Sequence, residues 1–304
     1  MDSFSDLELF TLVARHRNLA AVARELGVTP PAISKRLAAL ERRLGIRLSN
    51  RTTRRLTLTP EGELYLTHGS RILDDLSELE QMVGRSQGAP TGLLRVNASF
   101  GFGRTHLVPA VSNFASRYPA MRIQLHLTDK PLSLQEEGFD VGIRFGQVPD
   151  ARINARLLVS NRRLVCAAPD YLKRHGEPSV PHDLIRHACL VLRENESAYG
   201  TWHFSRGRHS ESVKVDGALS SNDGSAVLQW ALDGQGITVR SEWEVRSLIK
   251  RGKLVALLRE WTLPNADIHA TYLERNRLSA KLRTFIDYLG DYLPAKVGAA
   301  AGSR

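Results

Sequence analysis

The chain has 304 residues, of which 42% are hydrophobic and 24% charged, and its net charge is +10. This composition is typical of a soluble globular protein with about two domains. Apolar runs are too short for a membrane helix, and the amino terminus does not resemble a secretory signal, so we expect a cytoplasmic protein that does not bind membranes. Two cysteines, Cys166 and Cys189, are too few for a disulfide framework, and we expect no metal and no cofactor.

The positive charge is concentrated near the amino terminus. Eleven Lys or Arg residues and only two Glu residues lie between Arg15 and Arg55, so nearly all of the excess charge falls in this window. A basic segment is most often a solvated surface. Because phosphate binding depends on the local density of cations, this concentration favours a nucleic-acid partner.

Three helices are predicted in the first 44 residues. Apolar residues recur at helical spacing over three segments, residues 5–15, 19–26 and 30–44. Asn18 can cap the second helix, and Gly27 allows a sharp turn before the third. We expect Leu26 and Val28, on either side of that glycine, to be buried. Two short helices joined by a tight turn form a helix-turn-helix.

The third helix and the hairpin after it are predicted to contact DNA. Thr29 can cap this helix, and Pro30 suits its first position. Leu56 and Leu58 alternate with polar residues, which indicates a half-buried strand next to a basic tip at residues 51–54. A hairpin of this kind is a wing that touches the DNA backbone or minor groove. The predicted DNA-binding residues are Thr29, Pro30, Pro31, Ser34, Lys35, Arg36, Arg51, Thr53 and Arg54.

The same region resembles the signature of LysR-type transcriptional regulators. The matching segments are Leu26–Glu41, Leu44–Leu48, Asn50–Leu56 and Leu58–Gly62. Pro30 stands where the family often has Gln, so the base contact of that glutamine is absent. Lys35 stands where Arg is common, so the charge is kept but the two parallel hydrogen bonds of a guanidinium group are lost. The wing, Asn50–Arg54, is similar to a branch of the family that includes regulators of malate and tartrate use.

Residues 60–90 are predicted to form a linker helix and a hinge. Tyr65, Gly69, Ile72, Leu76, Leu79 and Val83 are spaced alternately by four and three residues, which is a short heptad seam. On spacing alone, a helix that packs on its own domain stays open as the less favoured alternative. The LysR resemblance implies a dimerisation helix, and therefore a homodimer or homotetramer on a palindromic double-stranded operator. The predicted dimer residues are Tyr65, Ile72, Leu76, Leu79 and Val83.

From Leu93 onward, short apolar runs alternate with helical segments, which indicates an α/β fold with parallel sheets. Phe139–Gly146, Leu164–Pro169 and Gly234–Ile237 resemble the LysR effector domain. The resemblance implies an α+β multidomain protein: a winged helix-turn-helix (1–59), a linker helix (60–90) and a two-lobed α/β effector domain like the type II periplasmic solute-binding proteins (91–293). Lobe I would hold residues 91–161 and 266–290, and lobe II residues 162–265. The tail, 294–304, is Ala/Gly-rich and is predicted to be disordered.

Candidate effector-binding residues follow predicted strands. Hydroxyl groups and helix amide groups converge where a strand leads into a helix, and these are suitable donors for a carboxylate. The family binds its effectors between the lobes, and the predicted residues are Ser99, Phe100, Thr128, Arg144 and Asn222. Ser99 and Asn222 could instead only cap helices, and Arg144 could be a structural ion pair. We expect a small anionic metabolite, with a carboxylate favoured.

Other classes of protein were weighed against this interpretation. The sequence has no His-Glu-x-x-His, Gly-x-Ser-x-Gly or Gly-x-x-x-x-Gly-Lys motif, so we expect no enzymatic activity. A solute carrier would need a secretory signal and no basic winged domain. A DNA-binding repressor that has no ligand, with a purely structural carboxyl-terminal domain for oligomerisation, stays open as the alternative.

Overall fold

The structure is a computed structural model that describes residues 3–51, 56–83, 90–128, 133–146, 153–193, 200–274 and 279–297. The chain divides into two compact units, Met1–Gly88 and Ala89–Arg304. None of the described helices is long and apolar enough to cross a membrane.

The amino-terminal unit consists of four helices and a two-stranded hairpin. The helices are α1 (Ser3–His16), α2 (Leu19–Glu25), α3 (Pro30–Leu44) and α4 (Pro60–Val83), and the strands are β1 (Ser49–Arg51) and β2 (Leu56–Leu58). The Asn18 side chain accepts hydrogen bonds from the backbone N–H groups of Ala20 and Ala21, at 2.8 and 3.3 Å. Gly45 ends α3 in the left-handed conformation, with φ 72°. The predicted helix-turn-helix and the antiparallel wing strands are therefore confirmed.

The turn between α2 and α3 differs from the prediction in its burial. Leu26 and Val28 are 40% and 46% exposed, whereas both were expected to be buried. Because α2 ends at Glu25, the turn points away from the core, which Val22, Ala23 and Ile33 already fill. Thr29 precedes α3 as its cap residue, but its side chain makes no capping hydrogen bond.

The first half of α4 packs on α1 of its own unit. The Tyr65 ring meets the Phe10 ring edge to face, with 5.4 Å between the centroids. A Cβ atom at Gly69 would lie 2.5 Å from Leu7 Cδ2, so only glycine allows the two helices to approach this closely. The Tyr65 ring thus packs inside its own unit, and its assignment to the dimer seam stays a prediction. Farther along α4, Ile72 and Leu79 are 46% and 51% exposed, and the side chain of Val83 lies outside the description.

Lobe I of the second unit is built on a five-stranded sheet in the order β4-β3-β5-β14-β6. Its strands are β3 (Gly92–Ala98), β4 (Met121–Leu127), β5 (Val141–Phe145), β6 (Ile153–Val159) and β14 (Ile268–Leu273). Its helices are α5 (Phe100–Phe102), α6 (Val108–Arg117), α7 (Leu134–Glu137) and α11 (Ala280–Val297), and a π-helical turn, Gly103–Leu107, joins α5 to α6.

Lobe II contains a second five-stranded sheet, in the order β11-β8-β12-β7-β13. Its strands are β7 (Arg163–Ala167), β8 (Cys189–Leu192), β11 (Ser220–Ser221), β12 (Ile237–Ser241) and β13 (Val255–Leu257), and a separate hairpin pairs β9 (Thr201–Arg206) with β10 (His209–Lys214). Its helices are α8 (Pro169–His175), α9 (Gly224–Leu232) and α10 (Glu242–Lys250), with a short 3-10 helix at Pro181–Arg186.

Both large sheets are mixed, so the prediction of parallel sheets was only partly correct: β3 is parallel to β4 and β5, and β8 is parallel to β11 and β12. In lobe I, β14 runs antiparallel to β5 and β6, and in lobe II, β7 runs antiparallel to β12 and β13. The chain leaves lobe I through β6 and returns through β14, and the end of β6 pairs with the start of β14, Val159 with Ile268. Because the last residue of β6 pairs with the first residue of β14, the two strands run in opposite directions.

The two connections between the lobes are held together by hydrogen bonds around Asn161, which is 4% exposed. Its backbone N–H donates to Asp267 Oδ1 at 2.8 Å. Its side-chain amide donates to the Ala266 carbonyl at 2.9 Å and to Ser241 Oγ at 3.1 Å. Buried polar groups satisfied in this way define where the chain crosses from one lobe to the other.

The last helix, α11, continues past Pro294 to Val297, so residues 294–297 are helical and not disordered as expected. Leu293 and Val297 are 0% and 6% exposed and belong to the core of lobe I. Their burial offsets the backbone hydrogen bond that proline removes from a helix. The remaining tail residues, 298–304, lie outside the described residues.

Candidate DNA-binding surface and effector cleft

The recognition helix, α3, has a buried face and an opposite exposed face. Ile33, Leu37 and Leu40 are at most 1% exposed and pack against α1 and α2. Pro31, Lys35 and Arg42 are exposed and lie four and seven residues apart, so they share the opposite face. Arg42 was not among the predicted DNA-binding residues, although the helical spacing from Lys35 was the signal that could have identified it. Thr29 and Pro30 are exposed where this helix begins, and Ser34 is half-buried.

Arg36, another predicted DNA-binding residue, lies on the flank of α3 that faces α1. Its Nη2 atom is 3.8 Å from Asp6 Oδ1, and Nη2 of Arg43, seven residues later, is 2.9 Å from Asp6 Oδ2. The Asp6 side chain is only 1% exposed. Arg36 and Arg43 therefore meet a carboxylate of their own unit.

The base of the wing is anchored to α3 by Glu41. Its Oε1 atom accepts hydrogen bonds from the backbone N–H groups of Leu48 and Ser49, both at 3.0 Å. Thr59, at the other end of the wing, donates through Oγ1 to the Arg47 carbonyl at 2.7 Å. The wing strands thus start and end at fixed points on the helical core.

The tip of the wing lies mostly outside the described residues. The backbone of Arg51 ends β1, but its side chain is outside the description, and so are Thr53 and Arg54. Their predicted contacts with DNA stay predictions.

In the second unit, a cavity of about 420 Å³ lies between the two lobes. All five predicted effector-binding residues line it: Ser99, Phe100, Thr128, Arg144 and Asn222. The first four come from lobe I and the fifth from lobe II. Strand ends separated by more than a hundred residues are thus brought to one cleft.

Ser99 and Asn222 do not act as side-chain helix caps in the described structure. Ser99 precedes α5, but its side chain makes no capping hydrogen bond. At α9 the cap is Asp223, whose Oδ1 atom accepts from the Ser225 N–H at 2.8 Å. Thr128 is fixed by its backbone N–H, which donates to the Ala98 carbonyl at 2.9 Å. Ser99 and Asn222 thus line the cleft without capping a helix through their side chains.

Arg144 is half-buried with its guanidinium against the backbone of Gly142. A Cβ atom at Gly142 would lie 2.9 Å from Arg144 Cζ, so the missing side chain makes room for the cation. Burial lowers the pKa of Arg144 to about 10. The desolvation behind this shift disfavours the charged form, and an anion in the cleft would restore the lost stabilisation.

A second arginine, Arg240, is neutralised within the protein. Its Nε atom donates to Glu244 Oε2 at 2.8 Å, and both side chains are more than 90% buried. Burial raises the pKa of Glu244, and the positive charge of Arg240 opposes that shift. Gly224 leaves room for this pair, because a Cβ atom there would lie 2.2 Å from Arg240 Nη2.

Several cleft residues were missed by the sequence analysis. They are Arg163, Arg193, Arg240, Trp202, His203 and Trp243. Arg193 follows β8 directly, so the same strand-end rule could have found it, whereas Trp202 stands on the hairpin that was not predicted. Among the described residues that line the cleft, four are Arg and none is Asp or Glu. Within the described parts of the chain, no group of His, Cys, Asp and Glu side chains could hold a metal ion.

Comparison with known proteins finds similarity along nearly the whole chain. Residues 4–63 match the family described as "Bacterial regulatory helix-turn-helix protein, lysR family", and residues 87–294 match "LysR substrate binding domain". The transcriptional regulator DmlR of Escherichia coli is 41% identical over 288 residues, covering 95% of this chain and 94% of the relative. The transcriptional activator TtdR of Escherichia coli is 38% identical over 294 residues, covering 96% and 94%.

Two solved structures also match nearly the whole chain. The structure of CrgA, a LysR-type transcriptional regulator from Neisseria meningitidis, matches with a TM-score of 0.61 and 31% identity, over 96% of this chain and 99% of that one. The full-length structure of AphB, a virulence activator of Vibrio cholerae, matches with a TM-score of 0.59 and 25% identity, over 96% and 99%.

Proposed function

The chain belongs to the LysR family of DNA-binding transcriptional regulators, and we propose that the effector it responds to is a small anion bearing a carboxylate group. The observation that carries this proposal is the composition of the cleft. Its described lining combines four arginines with hydroxyl and amide groups, without a carboxylate of its own.

The side chains of the lining favour an anion. Arg240 is matched by Glu244, and the described lining also contains Arg144, Arg163 and Arg193 but no Asp or Glu. Guanidinium groups bind carboxylates through paired, charge-assisted hydrogen bonds. The wing of the chain also resembles the branch of the family that includes regulators of malate and tartrate use, which supports a carboxylate.

The size of the cleft fits a small metabolite. Its volume of about 420 Å³ lies toward the lower end of the range typical of small-molecule sites. Ser99 and Thr128 face it from lobe I and Asn222 from lobe II, so an anion that contacts both lobes would favour their closure. Such a ligand can change DNA binding only by its difference in affinity for the open and closed forms.

For DNA, we propose that the exposed face of α3 enters the major groove while the wing contacts the backbone or minor groove. Pro31, Lys35 and Arg42 form that face, with Thr29, Pro30 and Ser34 beside its start. We propose that two copies join through the exposed part of the seam on α4, so that two recognition helices reach a palindromic operator. In this proposal Arg36 faces Asp6 and helps to hold α3 against α1, and it does not contact a base.

Calorimetric titration of the full chain tests the effector proposal. A panel of small mono- and dicarboxylates is compared with the corresponding uncharged amides, and the fluorescence of Trp202 and Trp243, which line the cleft, provides a second readout. We expect a carboxylate to bind and its amide not to bind. Ser99→Ala and Thr128→Ala should each weaken this binding by about tenfold, because each removes a hydrogen bond to a charged group.

The control is Ser116→Ala, which removes a hydroxyl from an exposed position on α6 outside the cleft. It should leave carboxylate affinity unchanged, and none of the three variants should alter DNA affinity in the absence of ligand. Equal binding of amides and carboxylates, or wild-type affinity in both cleft variants, would contradict the proposal. Binding of no compound in the panel would favour the alternative of a repressor without a ligand.

A further inference from the structure

A buried carboxylate in the amino-terminal unit is held between cations of the recognition helix. Asp6 lies on α1 and is 1% exposed, and Nη2 of Arg43 is 2.9 Å from its Oδ2 atom. Its other oxygen, Oδ1, has no hydrogen-bond donor among the described residues and is 3.8 Å from Arg36 Nη2. Because an unpaired carboxylate is costly to bury, the position of Asp6 constrains both arginines of α3.

Arg43 also connects the recognition helix to the linker helix. Burial raises the pKa of the Tyr65 hydroxyl on α4, and the nearby positive charge of Arg43 opposes that shift. The Tyr65 ring is fixed against Phe10 of α1, at 5.4 Å between the centroids. One turn farther along α4, Gly69 meets Leu7, the neighbour of Asp6 on α1. Helix α1 is therefore joined to α3 by the Asp6–Arg43 ion pair and to α4 by two tight apolar contacts.

We propose that Asp6, Arg43 and Tyr65 form a positioning network that sets the orientation of the recognition helix relative to the linker helix, and that operator recognition depends on it. None of the three touches DNA in this proposal. They fix α3 so that the face formed by Pro31, Lys35 and Arg42 meets the major groove correctly. A displacement of α4 would reach α3 through α1 and through Tyr65 beside Arg43, so the network is also the route by which the linker helix biases DNA binding.

The positioning proposal and simple electrostatics predict opposite changes in DNA affinity when Asp6 is replaced. Replacing any carboxylate of this unit by an amide makes the unit more positive, which should tighten binding to DNA of every sequence. If Asp6 positions α3, its replacement should weaken binding to the operator alone. The sign of the change therefore separates positioning from bulk charge.

The experiment compares Asp6→Asn with Glu8→Gln in the full chain. Glu8 is exposed on the same helix, so the two variants change the charge equally. Affinity is measured for the duplex that the wild-type protein selects from a randomised pool and for a scrambled duplex of equal length. We expect the ratio of operator affinity to scrambled affinity to fall about tenfold in Asp6→Asn, because the loss of one charge-assisted hydrogen bond changes an equilibrium by about this factor. The ratio should stay within about twofold in Glu8→Gln.

Tyr65→Phe is the second variant, because it removes only the hydroxyl and keeps the ring on Phe10. Its affinity ratio should fall about threefold. The double variant with Asp6→Asn should lose less than the product of the two effects, because both act through Arg43. Thermal unfolding is followed in parallel, and if Asp6→Asn does not fold, Tyr65→Phe decides the outcome. An unchanged ratio in Tyr65→Phe, or an Asp6→Asn protein that behaves like Glu8→Gln, would overturn the proposal.

Discussion

Two glycines shape the cleft by allowing arginine side chains to lie against the backbone. At Gly142 the guanidinium of Arg144 occupies the position of a side chain, and at Gly224 the guanidinium of Arg240 does the same. Arg240 is paired with the buried carboxylate of Glu244, so Gly224 accommodates an internal ion pair. Gly142 instead makes room for the guanidinium of Arg144, a residue that lines the cleft.

Replacement of Gly142 by alanine should displace Arg144 from the cleft wall. The new Cβ atom would lie 2.9 Å from the guanidinium and 3.0 Å from Thr271 Oγ1, so one of them must move. We expect carboxylate affinity to fall about tenfold and the free energy of unfolding to fall by about 1–3 kcal/mol. The matched control is Gly101→Ala in the same cleft, where the added Cβ atom would meet only Ser225 Oγ, at 3.9 Å. Similar losses in the two variants, measured by calorimetry, would count against a specific role for Arg144.

At the scale of elements, local sequence predicted most helices and the ends of several of them. Asn18 and Gly45 mark helix ends through their own chemistry, namely a capping oxygen and a left-handed backbone. The direction of β14 could not be predicted, because its pairing partners, β5 and β6, lie more than a hundred residues away in sequence. The Ala/Gly-rich composition of the tail was misleading for a related reason, since the core contacts of Leu293 and Val297 extend α11 past Pro294.

The heptad spacing of α4 also could not distinguish packing within the unit from packing between subunits. The structure assigns Tyr65 and Gly69 to contacts with α1, and it leaves Ile72 and Leu79 exposed. Large apolar side chains that repeat on one exposed helix face are typical of a helix–helix interface. The seam therefore contains two parts, one that packs internally and one that is available to a second copy.

Replacing Leu76 and Leu79 together by aspartate should therefore break the dimer that we propose. Two carboxylates in an apolar interface cost several kcal/mol unless each is paired, so light scattering should show a species of half the mass. The control is Ile46→Asp, which places a carboxylate at a 45% exposed apolar position outside α4. It should not change the mass. A double variant that keeps the wild-type mass would mean that subunits associate through another surface.

At the scale of the whole molecule, the charge pattern was the strongest clue that the sequence provided to function. Nearly all of the net charge of +10 lies between Arg15 and Arg55. The structure divides this charge into different roles: Lys35 and Arg42 are exposed on α3, whereas Arg36 and Arg43 are held by Asp6. Composition could not reveal that division, because it depends on which flank of α3 faces α1.

Cations that contact phosphate groups should affect the salt dependence of DNA binding, and cations elsewhere should not. Arg51→Ala, at the wing, should weaken binding to specific and scrambled DNA alike, and it should lower the slope of log affinity against log salt by about one unit. Lys35→Ala, on the recognition helix, should in addition change the preference among operator variants. Arg208→Ala is the matched control, because it removes the same charge from an exposed position on the β9–β10 hairpin of the second unit. Gel-shift titrations at several salt concentrations measure both quantities, and equal slopes for Arg51→Ala and Arg208→Ala would show that the wing does not touch the phosphate backbone.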